Sequence, residues 1–157
     1  MKRKYYFIFL ISIIVAIFIS YLCYTSPFFN PAAKVKLFKD EWGLELPRAN
    51  TAKELIGSDV SFLGDGAWYI IYHYNKNIPL DSTGMIEVNT SNIDYYQNKI
   101  DHFFELVEAI DSKASPNNFK LEVGDSIFYG EKNGSYDFLI AIYRESEKNL
   151  YTLKWYQ

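Results

Sequence analysis

The sequence predicts an α+β protein in which an N-terminal transmembrane helix precedes a small antiparallel sheet with one long helix packed on one face. Three observations favour this fold class. A 20-residue apolar stretch lies near the start of the chain, one amphipathic segment of helical period lies in its middle, and β-rich segments joined by turn residues follow. Strand pairs that flank a single long helix are typical of a layered α+β architecture.

The apolar stretch, residues 5–24, contains no charged side chain, and tyrosines lie at both of its ends. At about 1.5 Å per residue such a helix spans about 30 Å, which is the thickness of the hydrocarbon core of a bilayer. Terminal tyrosines suit the aromatic belts of membrane proteins. A cleaved signal peptide, or a lipoprotein signal ending at Cys23, requires a shorter apolar core or small residues before the cleavage site. We therefore expect an uncleaved anchor.

Charge predicts the orientation of this anchor. Lys2, Arg3 and Lys4 precede the stretch, and the next charged residue is Lys34. The positive-inside rule places the N-terminus in the cytoplasm and the remainder outside the cytoplasmic membrane. The chain then divides into a cytoplasmic N-terminus (1–4), a transmembrane anchor (5–24), a juxtamembrane linker (25–31) and an extracytoplasmic domain (32–157).

Small residues recur every four positions along the anchor, at Ser12, Ala16 and Ser20. Small residues at this spacing let two membrane helices approach closely, which predicts a helix-mediated oligomer. Serine and alanine are also common in membrane helices that do not associate, and the sequence leaves this alternative open.

The composition of the chain argues against several classes of protein. Three of the 16 Lys and Arg precede the anchor. The segment after the anchor therefore contains 13 Lys and Arg and all 19 Asp and Glu, which gives it a net charge of −6. This acidic balance argues against a nucleic-acid partner. Cys23 is the only cysteine, which excludes a disulfide within the chain, and we interpret it as a small apolar residue of the anchor. The 12 Phe, 14 Tyr and 3 Trp argue against intrinsic disorder.

Turn and periodicity signals predict the elements of the domain. Residues 32–42 form a short helix that ends at Gly43, and residues 75–88 form a polar loop. A long helix begins at a Ser91/Asp94 capping box, repeats its apolar residues from Ile93 to Ile110, and ends before Ser115-Pro116. The strands are predicted at 59–63, 67–74, 119–123, 126–129, 136–143 and 150–156. The second of these is almost wholly apolar, so we expect it to be covered on both faces.

Two hairpin turns connect the predicted strands. Gly64-Asp65-Gly66 joins 59–63 to 67–74, and Asn133-Gly134 is the dipeptide preferred in two-residue hairpins.

The sequence contains few candidates for catalytic or metal-binding residues. His73 is predicted in a strand, while Asp101, His102 and Glu105 lie together on the long helix and are interpreted as a solvated face. The sequence Asp81-Ser82-Thr83-Gly84 differs from the Asp-Thr/Ser-Gly of aspartic proteases by one position and has no second copy. We therefore predict no catalytic residue, no metal site and no cofactor.

Aromatic residues and one acid are the candidate binding residues: Asp65, Trp68, Tyr72 and Trp155. Large amphipathic rings are enriched in binding surfaces. The alternative is that these rings belong to the core, because β-strands favour aromatic residues.

Two segments carry a family resemblance: Phe62-Leu63-Gly64-Asp65-Gly66 and the closing residues 150–156. Together they resemble small uncharacterised membrane-anchored proteins of low-GC Gram-positive bacteria, which pair a Phe-x-Gly-Asp-Gly turn with a short C-terminal hairpin. The resemblance implies a bacterial cell-envelope setting and no particular activity.

The sequence thus favours a domain that acts by binding, in an accessory, sensor-like or immunity-type role. Its expected partners are the lipid bilayer and another membrane or envelope protein. Two alternatives remain: a cell-envelope hydrolase with an acid near Asp65, and a structural subunit of a membrane complex that assembles through the anchor.

Overall fold

An antiparallel sheet with helices on both of its faces forms the domain that follows the N-terminal helix. The computed structural model describes residues 2–26, 30–57, 66–110 and 119–157, with side chains from Phe9 onward except that of Ser135. Within these residues the chain has three α-helices and six strands, and the predicted α+β class is confirmed.

The helices are α1 (Lys2–Thr25), α2 (Leu37–Trp42) and α3 (Ile93–Ile110), with short 3₁₀ helices at Pro31–Lys36 and Asn133–Ser135. The strands are β1 (Thr51–Gly57), β2 (Gly66–His73), β3 (Ile86–Glu87), β4 (Ser126–Lys132), β5 (Asp137–Arg144) and β6 (Asn149–Tyr156). All described pairings are antiparallel, in the order β1-β2-β6-β5-β4-β3.

The central strands are covered on both faces, as predicted for β2. Ala67 and Tyr69 of β2 pack with the core under α3, whereas Ile70 and Tyr72 belong to the core on the opposite face. Strand β5 is buried along nearly its whole length because the same alternation carries apolar residues to both sides. The sheet therefore separates two hydrophobic cores.

Helix α3 covers one face with the predicted apolar stripe. Ile100, Phe103, Phe104 and Val107 are buried against the sheet, and Phe104 meets Tyr69 edge to face with ring centroids 5.8 Å apart. This part of the fold follows from the helical period of the sequence.

A second layer on the opposite face corrects the prediction of one helix on one face. Val35, Phe38 and Leu44 are buried there, because the 3₁₀ helix, α2 and the segment after it lie across the sheet. The predicted helix 32–42 therefore forms in two pieces. It ends as expected at Gly43, whose φ of 74° and N–H bond to the Lys39 carbonyl are typical of a glycine C-cap.

The start of α3 differs from the prediction. The Ser91 hydroxyl donates to Asn89 Oδ1 at 2.6 Å, while Asn92 Oδ1 accepts the N–H of Asn89 at 2.8 Å. The Ser91/Asp94 capping box was therefore wrong, because the nearby asparagines engage the local polar groups. The predicted helix end at Ser115-Pro116 lies outside the described residues.

The strands of the structure differ in part from the predicted strands. Residues 119–123 are not a strand, and Thr51–Gly57, which the sequence did not mark as a strand, forms an edge of the sheet. The predicted strand 59–63 lies outside the described residues. The predicted Asn133-Gly134 turn does join β4 to β5, with positive φ at both residues, although it is longer than a two-residue loop.

Helix α1 is 24 residues long. Over the part of the chain that the structure describes, no helix combines the length and the apolar character needed to cross a membrane.

Candidate functional site

The described side chains of α1 are exposed from Phe9 to Tyr24. Ile17, Phe18 and Ile19 are consecutive, so they point in three different directions around the helix, and their exposed fractions are 64%, 59% and 54%. A helix that is apolar on all sides is typical of a protein core or a lipid environment. The domain itself leaves this helix uncovered.

The C-terminal end of α1 is fastened to the domain by Arg48. Arg48 Nη2 donates to the Tyr24 carbonyl at 2.6 Å, and its guanidinium lies 3.5 Å from the centroid of the Tyr24 ring. Asn30 Nδ2 donates to the same carbonyl at 3.1 Å. The last carbonyls of a helix lack partners within the helix, and a cation there also interacts favourably with the helix dipole. These contacts join helix and domain across the predicted linker 25–31, of which residues 27–29 lie outside the described part.

The predicted association face of α1 is accessible. Ser12, Ala16 and Ser20 are all exposed, and the Ser12 hydroxyl donates to the Phe9 carbonyl of its own helix at 2.7 Å. Cys23 is also exposed on α1. Association through this face stays a prediction.

The structure separates the candidate binding residues. Trp68 is half-buried and Tyr72 is fully buried on the α2 face, whereas Trp155 is 8% exposed in the core under α3. Burial raises the pKa of the Tyr72 phenol, and nearby Glu54 and Glu41 add to this rise. Tyr72 and Trp155 thus act as core residues in this arrangement. Asp65 lies outside the described residues.

Trp68 belongs to a cluster around Lys154. Lys154 Nζ lies 5.0 Å from the centroid of the Trp68 ring and 4.7 Å from that of Tyr156. Glu41 Oε2 lies 3.9 Å from this ammonium and accepts the Tyr156 hydroxyl at 3.0 Å. Burial lowers the pKa of Lys154, while Glu41 acts in the opposite direction. Since the ammonium is engaged by two rings and a carboxylate, this cluster fastens α2 to the sheet.

One feature of the sequence indicates this cluster. Lys154 lies in an otherwise apolar strand segment, Leu153-Lys154-Trp155-Tyr156. A lysine at such a position often covers apolar surface with its stem and needs a partner for its ammonium.

A second polar network surrounds Arg144. Its Nε and Nη2 bond both carboxylate oxygens of Asp125 at 2.9 and 2.8 Å, and Nη2 also donates to the Lys120 carbonyl at 2.9 Å. Nη1 lies 3.1 Å from Glu122 Oε1 and 3.5 Å from Glu147 Oε1. All three nitrogen atoms of the guanidinium are therefore engaged. Asp125 raises the pKa of Arg144 through these bonds, so the network holds a fixed charge that ties the segment after residue 119 to β5.

Both histidines make structural contacts. His73 Nδ1 lies 3.0 Å from Asn149 Oδ1, which joins the ends of β2 and β6. His102 Nδ1 lies 3.6 Å from Glu105 Oε2, and its ring stacks on Phe138. Among the described residues, no group of three or more His, Cys, Asp and Glu is arranged to hold a metal ion.

Two surface depressions on the domain are open to solvent. One, of about 490 Å³, includes the carboxylates of Asp81, Glu87 and Glu145. Another, of about 480 Å³, lies beside Gln97, whose amide donates to the Phe119 carbonyl and accepts the Leu121 N–H, both at 2.9 Å. Gln97 therefore binds the chain's own backbone.

Comparison with known proteins returned no matching family model, no matching curated protein and no matching solved structure. The resemblance to small membrane-anchored proteins of low-GC Gram-positive bacteria stays a prediction.

Proposed function

We propose that the chain is a single-pass membrane protein in which residues 5–24 anchor an extracytoplasmic domain. The domain would bind another membrane or envelope protein in an accessory, sensor-like or immunity-type role. The observation that carries this proposal is the exposure of apolar side chains on every side of α1 from Phe9 to Tyr24. The proposed span also takes in residues 5–8, whose side chains lie outside the described part.

The exposed apolar side chains of α1 are unfavourable in water. The complete removal of a large apolar side chain from water is favourable by about 1.5–3 kcal/mol of free energy. Ten large apolar side chains between Phe9 and Leu22 are more than one third exposed: Phe9, Leu10, Ile11, Ile13, Ile14, Val15, Ile17, Phe18, Ile19 and Leu22. A bilayer would cover all of them together, because a helix satisfies its own backbone hydrogen bonds in lipid.

The contacts of the domain favour binding over catalysis. The Arg144 and Lys154 side chains, which are the most enclosed cations described above, are engaged by Asp125 and by Glu41 respectively. Their carboxylate partners serve as structural counter-ions. A role through the protein surface is therefore better supported than a reaction at either cluster.

Cysteine labelling tests the proposed topology. In a Cys23→Ser background, we expect a cysteine at Glu108, an exposed position of α3, to react with a membrane-impermeant maleimide on intact cells. A cysteine inserted after Met1 should react only after the cells are lysed. Labelling at the N-terminus of intact cells, or protection of Glu108→Cys until lysis, would contradict the proposal.

A further inference from the structure

One end of the sheet lies beside the C-terminus of α1. Tyr74 Oη donates to the Pro47 carbonyl at 3.1 Å, next to Arg48, which holds Tyr24. Asn75 N–H donates to Asn50 Oδ1 at 2.8 Å, and Lys148 Nζ donates to the Asn75 carbonyl at 3.4 Å. We call this surface, formed by residues 47–50, 74–77 and 145–148, the proximal end. The opposite, distal end includes Lys132 and Gln157.

Three cations lie on the proximal end: Arg48, Lys76 and Lys148. Within the described residues none of the three forms an ion pair with a carboxylate. The same surface carries two acids: Glu147 is paired with Arg144, whereas Glu145 accepts from the neutral amide of Asn77 and keeps its charge, so the three cations outnumber the acid that lacks a cationic partner. Elsewhere in the domain, Lys99 of α3 is paired with Glu131 at 3.4 Å and Lys154 of β6 lies 3.9 Å from Glu41.

The position of this surface relative to a bilayer follows from the Arg48 contact. If residues 5–24 span the hydrocarbon core, Tyr24 lies at the headgroup level on the outer side. Arg48 touches Tyr24, residues 74–77 bond directly to the Arg48 segment, and Lys148 bonds in turn to Tyr74 and Asn75. The three cations are then within reach of lipid phosphates, while the domain as a whole is acidic.

We infer that the proximal end docks on the headgroups of anionic phospholipids and thereby fixes the orientation of the domain on the membrane. This inference rests on the proposed anchor and goes beyond it by assigning a lipid class and a membrane-facing surface. Cations close to an anionic bilayer are attracted within a Debye length of its surface.

Headgroup quenching of a fluorophore tests the inference on the full chain. In a Cys23→Ser background, one label is placed at Ser146→Cys on the proximal end and another at Gln157→Cys on the distal end. The protein is reconstituted in vesicles of phosphatidylcholine, with or without phosphatidylglycerol, that carry a headgroup nitroxide. We expect quenching at Ser146→Cys to rise about two-fold with phosphatidylglycerol and to fall again in 1 M salt, where the Debye length is only about 3 Å.

Charge variants identify the residues responsible. Lys76→Gln with Lys148→Gln should remove the response to phosphatidylglycerol, whereas Lys99→Gln with Lys132→Gln, which changes the net charge equally, should keep it. Quenching at Ser146→Cys that ignores lipid charge, or that equals the quenching at Gln157→Cys, would overturn the inference.

Flotation of the same samples separates this inference from the proposed anchor. Protein that floats with pure phosphatidylcholine vesicles, but lacks a response to lipid charge, overturns the docking surface alone. Protein that does not float with any vesicles overturns the anchor and the docking surface together.

Discussion

The Arg144 guanidinium joins three parts of the chain: the segment after residue 119, the turn before β4, and β5. Its side chain is only 11% exposed, and that of its partner Asp125 is 3% exposed. Removing one member of a buried ion pair leaves the other charge without compensation, which is more costly than the pair is stabilising. The interaction therefore acts as a structural constraint on the fold.

We expect Arg144→Met to lower the free energy of unfolding by about 3–5 kcal/mol, measured by denaturant titration of the full chain in detergent. Adding Asp125→Asn should restore part of this loss, because the amide removes the buried charge and its oxygen can still accept the Glu122 N–H. Lys53→Met, at an exposed position of β1, serves as the control and should change stability little. An Arg144→Met protein as stable as this control would show that the network is dispensable.

Glu147 supplies a pH-dependent contribution to stability. The Tyr151 hydroxyl, with Asn149 and Arg144, lowers the pKa of this carboxyl below its ordinary 4.5. A group whose pKa is lower in the folded state stabilises the fold above its unfolded pKa and loses that contribution as the pH falls through the folded pKa. Its effect is therefore present at neutral pH and disappears in acid.

We expect Glu147→Gln to reduce stability at neutral pH and to flatten the loss of stability on acidification below pH 4.5. Unfolding free energies measured across this range check the expectation, with Glu108→Gln on the exposed side of α3 as the matched control. Parallel pH profiles of Glu147→Gln and the unaltered chain would rule out a contribution from this carboxylate.

The sequence predicted which strands are rich in aromatic residues but not which core each ring joins. Trp68 and Tyr72 share a face because they are four residues apart, and side chains alternate between the two faces with a period of two residues. Trp155 lies on the other face because β6 pairs Trp155 with Ala67, and a register shifted by one residue would reverse that placement. The face of the sheet on which an aromatic ring lies thus depends on strand pairing, which the local sequence pattern does not specify.

Among the elements, those with a strong local period were predictable. Helix α3 and strands β2, β5 and β6 were anticipated because their apolar residues dominate over turn signals. Strand β1 was missed because Lys53 and Glu54 interrupt its pattern and because its register shifts between Glu54 and Ile56. The segment after residue 119 resembles a strand in sequence, yet Gln97 and Arg144 take its backbone groups in place of a neighbouring strand.

At the level of the helices, the link between α1 and the domain depends on Arg48. We expect Arg48→Ala to leave the domain folded but to broaden the distance distribution between spin labels at Cys23 and at Ser146→Cys, measured in detergent by pulsed dipolar spectroscopy. The reason is that the Tyr24 carbonyl loses its cation and the Tyr24 ring loses its stacked guanidinium.

Lys53→Ala is the control for this experiment, since Lys53 is exposed on β1 and should leave the distribution narrow. Equally narrow distributions for Arg48→Ala and the unaltered chain would mean that Asn30 and the connecting segment alone hold the helix in place.

For the whole molecule, the two cores explain why the domain tolerates so many large rings. The sheet is buried on one side by α3 and on the other by residues 31–49, so aromatic side chains of both strand faces find cover. The unbroken apolar pattern of β2 already indicated two covered faces, whereas the identity of the second layer depended on long-range packing. Among the described residues, helix α1 is left uncovered by this packing.

Alkaline extraction of membranes from cells that express the full chain measures whether α1 is inserted in lipid. We expect the unaltered chain to stay in the membrane pellet, and a variant with Ile14→Arg and Ile17→Arg to be released, because charged side chains near the bilayer centre oppose insertion. Release of the unaltered chain into the supernatant would contradict the anchor that the proposed function requires.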